Sequence, residues 1–333
     1  MRLLALLRPS RAFLAVSVVL AGYGLLRFYA HTAGNLMVVP YLLATGALLA
    51  IADSAWNLIF RTASENVFPE GPTGGLSTGS ACIVAGLATL AGLMCAMTGG
   101  YGSFRVGGAL VIVILVKAAL FRRTEVISPL LDGLKGGLFF VIGMTAHPSF
   151  LELLFTREAR LPPTFFAVFT AVTAVLSQVR DSSRPREVPH SDDLANDTAS
   201  RLLDLRDDAV DRSVVWFGGA ALFFIPLAAA WIMQRWLTWA ILGFLSLSIL
   251  MRLVPVLVYR TRRDLNLFID AAVRGGAFLN AGAVVSLGDY QQRAVYGDWT
   301  LPLPPNSELG IVAVIILLAA PAWLARKADP EAD

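Results

Sequence analysis

Residues 37–61 read MVVPYLLATGALLAIADSAWNLIFR. From Met37 to Leu58 the stretch is apolar apart from Thr45, Asp53, Ser54 and Asn57. A helix of that length rises about 33 Å, enough to cross the ~30 Å hydrocarbon core of a bilayer. No water is present there, so a spanning segment must satisfy its own backbone, and a helix does this within one segment. The same reasoning singles out Asp53. A carboxylate inside a span is costly, and its presence points to a partner or a function.

The pattern recurs. Comparable stretches lie at 11–29, 79–98, 106–121, 130–147, 163–179, 213–233, 236–258, 266–287 and 309–325, which makes ten spans with 37–58. The ninth is the least regular, being rich in glycine and alanine and interrupted by Arg274. The expected fold class is all-α, a polytopic membrane helical bundle of nine to ten transmembrane helices, with residues 1–333 as one integral membrane domain. Composition agrees: 56% of residues are hydrophobic and 15% charged, against roughly 25% charged in a soluble domain. Mean hydropathy is +0.66. A net charge of +3 is too small for a nucleic-acid partner, and the partner it leaves is membrane lipid. Cys82 and Cys95 fall inside one span and read as packing residues. Arg2, Arg8 and Arg11 precede the first apolar run, which has no small-residue cleavage site and reads as a span.

Ten spans place both termini on one side, and the basic residues choose the side. The termini and the loops after even-numbered spans carry seventeen, among them Arg61, Arg122, Arg123, Arg180 and Arg212; the opposite side carries six. The positive-inside rule then sets both termini in the cytoplasm, in what the composition suggests is a bacterial plasma membrane. Two long loops, 59–78 and 180–212, lie on that face, where ordered loops tend to carry function.

Three places could carry chemistry. Asp53, Asn57 and Arg61 are four residues apart and share a helix face, with Glu65 one turn on. A polar helix end with Asp53 paired to an arginine explains the same spacing. Gln178, Arg180 and Asp181 end the sixth span, and an acidic run from Asp192 to Asp211 follows, with Asp193/Asp197, Asp204/Asp208 and Asp207/Asp211 at metal-ligand spacing. A solvated, salt-bridged helix has the same pattern. Lys117 lies inside the fourth span with Arg122 and Arg123 after it, and Asp132 and Lys135 open the fifth. These cations could hold a diphosphate head group, or anchor the helix ends at the interface. Gly133 and Gly137 form a small-residue helix contact.

The order of these pieces resembles the UbiA superfamily of intramembrane prenyltransferases. LLRPSRAFLAVSVVLAGYGLL (6–26) is similar to that family's opening and ADSAWNLIFRTASENVFPEGPTGG (52–75) to its first aspartate motif and the turn after it. FRRTEVISPLLDGLKGG (121–137) is similar to its basic loop and Gly-rich fifth helix, and LSQVRDSSRP (176–185) to its second motif. The resemblance spans about residues 5–290. It implies helices around a central cavity opening to lipid, capped by loops 59–78 and 180–212. Within it Mg²⁺ would hold the diphosphate of a polyprenyl diphosphate for ionisation to an allylic carbocation, captured by an aromatic or other small acceptor. By position, the catalytic residues would be Asp181, Asp53 and Asn57. The diphosphate-binding residues would be Arg61, Lys117, Arg122, Arg123 and Arg180, and the metal ligands Asn57, Glu65 and Asp181.

The departures are pointed. Where the family has Asn-Asp-x-x-Asp-x-x-x-Asp, this chain has Asn57, Leu58, Arg61 and Glu65, and the second motif runs from Asp181 to Pro185. Leu58 cannot ligate a metal and Arg61 would repel one. A guanidinium can, however, bind diphosphate directly and bidentately. Three readings follow: a divergent prenyltransferase, a terpene cyclase that captures the same carbocation internally, and a non-catalytic isoprenoid-binding relative. A transporter is disfavoured, because no inverted repeat with paired broken helices is visible.

Overall fold

The computed structural model describes residues 9–29, 36–65, 78–120, 127–182, 209–233, 236–259 and 264–280, with isolated positions 320 and 324. In chain order the helices are α1 (Pro9–Tyr29), α2 (Val39–Glu65, entered through a 3-10 turn at Leu36–Val38), α3 (Thr78–Gly99) and α4 (Tyr101–Leu120). They continue with α5 (Ile127–Met144), the short α6 (Phe150–Phe155), α7 (Arg157–Ser182), α8 (Ala209–Met233), α9 (Trp236–Tyr259) and α10 (264–280). No strand occurs among the described residues. Among the described residues the first five helices and α7 to α9, eight in all, are each long and apolar enough to cross a bilayer. The protein is an integral, multi-pass membrane protein. The tenth expected span, 309–325, and the cap expected over 59–78 and 180–212 lie largely outside the described residues.

Among the described residues the apolar side chains gather in several clusters, with two main regions. One gathers α7 to α10 around Phe169, Leu176, Leu222, Leu242, Ile249 and Phe268. The other joins α1, α2, α4 and α5 around Leu25, Leu26, Leu49, Leu110, Phe140 and Ile142. α5 stands between them, packed on α1, α4 and α7. Small residues let it approach both sides. A Cβ on Gly143 would sit 2.0 Å from the Val19 carbonyl oxygen of α1, and one on Gly22 would sit 1.9 Å from that of Phe140. On the opposite flank, a Cβ on Gly133 would lie 2.6 Å from the Ala167 carbonyl oxygen of α7. Backbone-to-backbone contact of this kind is how helices associate where lipid is as apolar as leucine.

Interhelical hydrogen bonds add to it. Trp56 Nε1 donates to Thr89 Oγ1 (3.2 Å) across α2 and α3, and Ser246 Oγ donates to the Phe223 carbonyl (3.0 Å) across α9 and α8.

Some boundaries differ from the sequence reading. α4 begins at Tyr101 rather than 106, because Gly100 alone, at φ +121°, turns the chain from α3 into it. Arg105 therefore lies in the second turn of α4 rather than in a loop. It is exposed, stacked 4.1 Å over the Tyr101 ring and bonded to its hydroxyl at 2.9 Å. Arg274 does not break its helix, because Asp270 one turn earlier pairs with it.

Gly143→Ala should force α1 and α5 apart and lower stability by about 3 kcal/mol or more, the upper range of overpacking effects. Gly86→Ala, where a Cβ meets nothing within 4 Å, should be neutral or stabilise by up to about 1 kcal/mol. Thermal unfolding of the two variants in the same detergent reads the contrast.

Candidate functional site

The site grows from Asp53. Its span carries one acid, and that acid faces inward with a side chain 11% exposed. Its partner is not an arginine: Lys135 of α5 reaches it, Nζ to Oδ2 at 2.7 Å. The same ammonium lies 2.8 Å from Oδ1 of Asp132, one turn earlier on α5. Lys117 of α4 closes the series, its Nζ 2.5 Å from that same Asp132 oxygen. Three helices thus share one alternating row, Asp53–Lys135–Asp132–Lys117, whose formal charge sums to zero.

The row lies at one end of the bundle. Asp53 is about 10 Å from the end of its apolar span at Phe60, and Lys117 about 5 Å from the end of α4. Asp132 and Lys135 are about 8 and 12 Å from the start of α5. It has a closed end and an open end: Lys135 and Asp53 are 7% and 11% exposed, Lys117 and Asp132 13% and 21%. The opening at Asp132 is not on α5's outer face. Leu130 and Leu134 hold that face, and each is two residues, or about 200°, from Asp132.

Asn57 is set by the row. Its Nδ2 donates to the Asp53 carboxylate Oδ1 (2.9 Å) and to the Asp53 backbone carbonyl (2.7 Å). The amide is thereby fixed, since turning it over would put its oxygen against a carboxylate. Asn57 Oδ1 then points away, buried and without a hydrogen-bond partner. A buried acceptor in that state invites a donor from a ligand.

Both oxygens of Asp53 are engaged, and Asp132 is held by two ammonium groups. Among the described residues no three of His, Cys, Asp and Glu come together to hold a metal ion. One neutral oxygen on Asn57 beside two lysine-bound carboxylates does not fit Mg²⁺, which takes carboxylates free to coordinate. Arg61 and Glu65 lie in the last turns of α2, and Arg180 and Asp181 in the last turn of α7, but their side chains are outside the described set. Arg122 and Arg123 and the acidic residues from Asp192 to Asp208 are outside it altogether, as is the Asp211 side chain.

The structure therefore joins Asp53, Asn57 and Lys117, and adds Lys135 and Asp132 as the links between them. Other buried polar groups among the described residues escape a sequence reading. The Tyr23 hydroxyl, Ser103 Oγ and both amide atoms of Asn280 on α10 have no hydrogen-bond partner.

The architecture can be set beside known structures. It is similar to the solved structure of digeranylgeranylglyceryl phosphate synthase, with a TM-score of 0.54 at 9% identity, over 86% of this chain and 99% of that one. The chain has the UbiA fold. A UbiA homolog from Archaeoglobus fulgidus bound to Cd²⁺ is also similar, at TM-score 0.48 and 15% identity over 98% of this chain and 99% of that one. No family model and no curated protein matches the sequence. The buried row draws on α2, α4 and α5 of this fold.

Lys135→Met leaves Asp53 buried and unpaired and should destabilise the protein by about 3–5 kcal/mol. Adding Asp53→Asn removes the stranded charge and should recover part of that loss. Melting curves of single and double variants give the coupling, and strictly additive effects would contradict the pairing.

Proposed function

We propose that this protein is a membrane-embedded prenyltransferase. It takes a polyprenyl diphosphate, ionises it to an allylic carbocation, and passes the prenyl group to a small aromatic or other acceptor. The observation that supports this is the buried charged row at one end of an otherwise apolar bundle of the UbiA fold. A prenyl diphosphate has a matching division, a highly charged head on a hydrocarbon tail, and would lie with its head at the row and its tail among the helices.

In the chemistry, the allylic C–O bond breaks and the diphosphate leaves with the electron pair. The acceptor's electrons form the new C–C or C–heteroatom bond, and the acceptor loses a proton. The residues of this chain serve the charged end. Lys117, with Arg61, Arg122, Arg123 and Arg180, stabilises the developing diphosphate, as fixed cations do for a departing anion. Asp53 positions Asn57, whose unpartnered amide oxygen is an acceptor for a donor on the ligand rather than a contact to the diphosphate oxygens. Asp181, closing α7, is the acid proposed to act opposite them. Mg²⁺ is the counter-ion that the family resemblance implies; the described donors do not fit it, and no step is assigned to it. Both termini and the charged end face the cytoplasm in this proposal.

One observation favours a second reading. Asp53 and Asp132 are already neutralised by lysines, so these two acids need no metal, as in a protein that binds an isoprenoid lipid without reacting it.

The test is diphosphate release from C10 to C20 prenyl diphosphates by the detergent-purified full chain, with and without acceptors. Release is expected, and Arg61→Ala should lower its rate roughly ten- to hundredfold, the weight of a charge-assisted hydrogen bond. Unchanged release in that variant removes Arg61 from the mechanism. No release with any donor or acceptor favours the non-catalytic reading.

A further inference from the structure

We propose that Lys117 and Lys135 form a metal-independent clamp for a diphosphate, and that Asp132 is its resident occupant, an internal carboxylate that the incoming anion displaces. This rests on the reading of the protein as one that takes a prenyl diphosphate, and it names the groups that hold the head.

The geometry is specific. Two ammonium groups from different helices converge on one oxygen, Asp132 Oδ1, at 2.5 and 2.8 Å. That is the arrangement in which two lysines hold a single phosphate oxygen. The second oxygen of Asp132 is not needed to hold either lysine. Asp53, by contrast, has both oxygens engaged, Lys135 on one and the Asn57 amide on the other, and is the less exposed of the two acids.

The row is thus asymmetric. Asp53 is a fixed counter-ion at the closed end, and Asp132 is the exchangeable one at the open end. Its 21% exposure, the highest in the row, lies away from the outer face of α5.

The arrangement answers a physical need. Two lysines facing each other in hydrocarbon without an anion would repel and shed protons. Asp132 keeps both charged and in place while no ligand is bound. A diphosphate carries more charge and more acceptor oxygens than a carboxylate, so it can compete for the same two donors. The lysines supply the charge that a divalent ion would otherwise bring. Asp132 therefore weakens binding while keeping the empty site intact.

The inference predicts a gain from a loss. Asp132→Asn removes the competing charge but keeps the side chain's shape. Inorganic diphosphate, titrated calorimetrically into the detergent-purified full chain in EDTA, should bind this variant roughly ten- to hundredfold more tightly than the native chain, the equivalent of one charge-assisted hydrogen bond. A folded Asp132→Asn variant, shown by a cooperative melt, whose affinity is unchanged or weaker overturns the proposal. So does binding to the native chain that appears only when Mg²⁺ is added. If Asp132→Asn does not fold, Lys117→Gln decides: it leaves Lys135 between its two carboxylates and should weaken diphosphate binding to the native background about tenfold or more. Unchanged affinity there overturns the clamp. Inorganic diphosphate that binds as expected while no prenyl diphosphate is turned over upholds the clamp and counts against the transferase reading alone.

Discussion

A charge placed in hydrocarbon must have an opposite charge within hydrogen-bonding distance. Much of the first half of this protein is arranged around that requirement. Asp53 on α2 needs Lys135; Lys135 and Lys117 both need Asp132; and the three helices that carry them must sit close enough for side chains to meet at 2.5 to 2.8 Å. The closeness has its own cause. α5 carries glycine where it meets α1 and where it meets α7, so its backbone comes into contact on both flanks and holds its charged face at a fixed depth. Small residues set the spacing and the row of charges sets the register.

A buried ion pair is weak support for stability, since desolvation offsets most of its Coulombic gain, but a row of four can fix which helix faces which. The same row prepares a site. By holding Asp53, Lys135 also fixes the Asn57 amide, and the one acceptor left over is turned away from the row. Among the described residues this end of the bundle holds lysines and matched acids rather than carboxylates free to coordinate. Such a set offers donors for an anion more readily than ligands for a cation.

The spans were legible in the sequence because a succession of about 20 apolar residues suits a bilayer crossing and little else. The helix ends were less so. A single glycine at positive φ turns α3 into α4, and nothing in the local hydropathy marks a hairpin that tight. The short helix Phe150–Phe155 was missed because it is one and a half turns long and borrows its stability from packing. Asp53, Asn57 and Lys117 stood out individually, and the Gly133–Gly137 face was read correctly as a contact surface. Their assembly was not legible. Spacing along one helix tells which residues share a face, but not which face of another helix lies opposite, and Lys135 is 82 residues from Asp53. One reading of the spacing pairs Asp53 with an arginine; the partner is a lysine because Lys135 stands inside a neighbouring span at the same depth.

That separation has a consequence for biogenesis. α2 leaves the ribosome well before α5, so Asp53 meets the bilayer while its counter-charge has yet to be made. Lys117 and the acid and base of α5 are close together in the chain and can enter as one hairpin, where Asp132 offsets one lysine and the other is left over. The unmatched acid of α2 and the unmatched cation of the hairpin are complementary debts of opposite sign, and only docking of the hairpin on α2 cancels both. Insertion and tertiary assembly are therefore coupled in this protein, and a chain halted before α5 would hold α2 in the membrane with a charge that nothing yet balances.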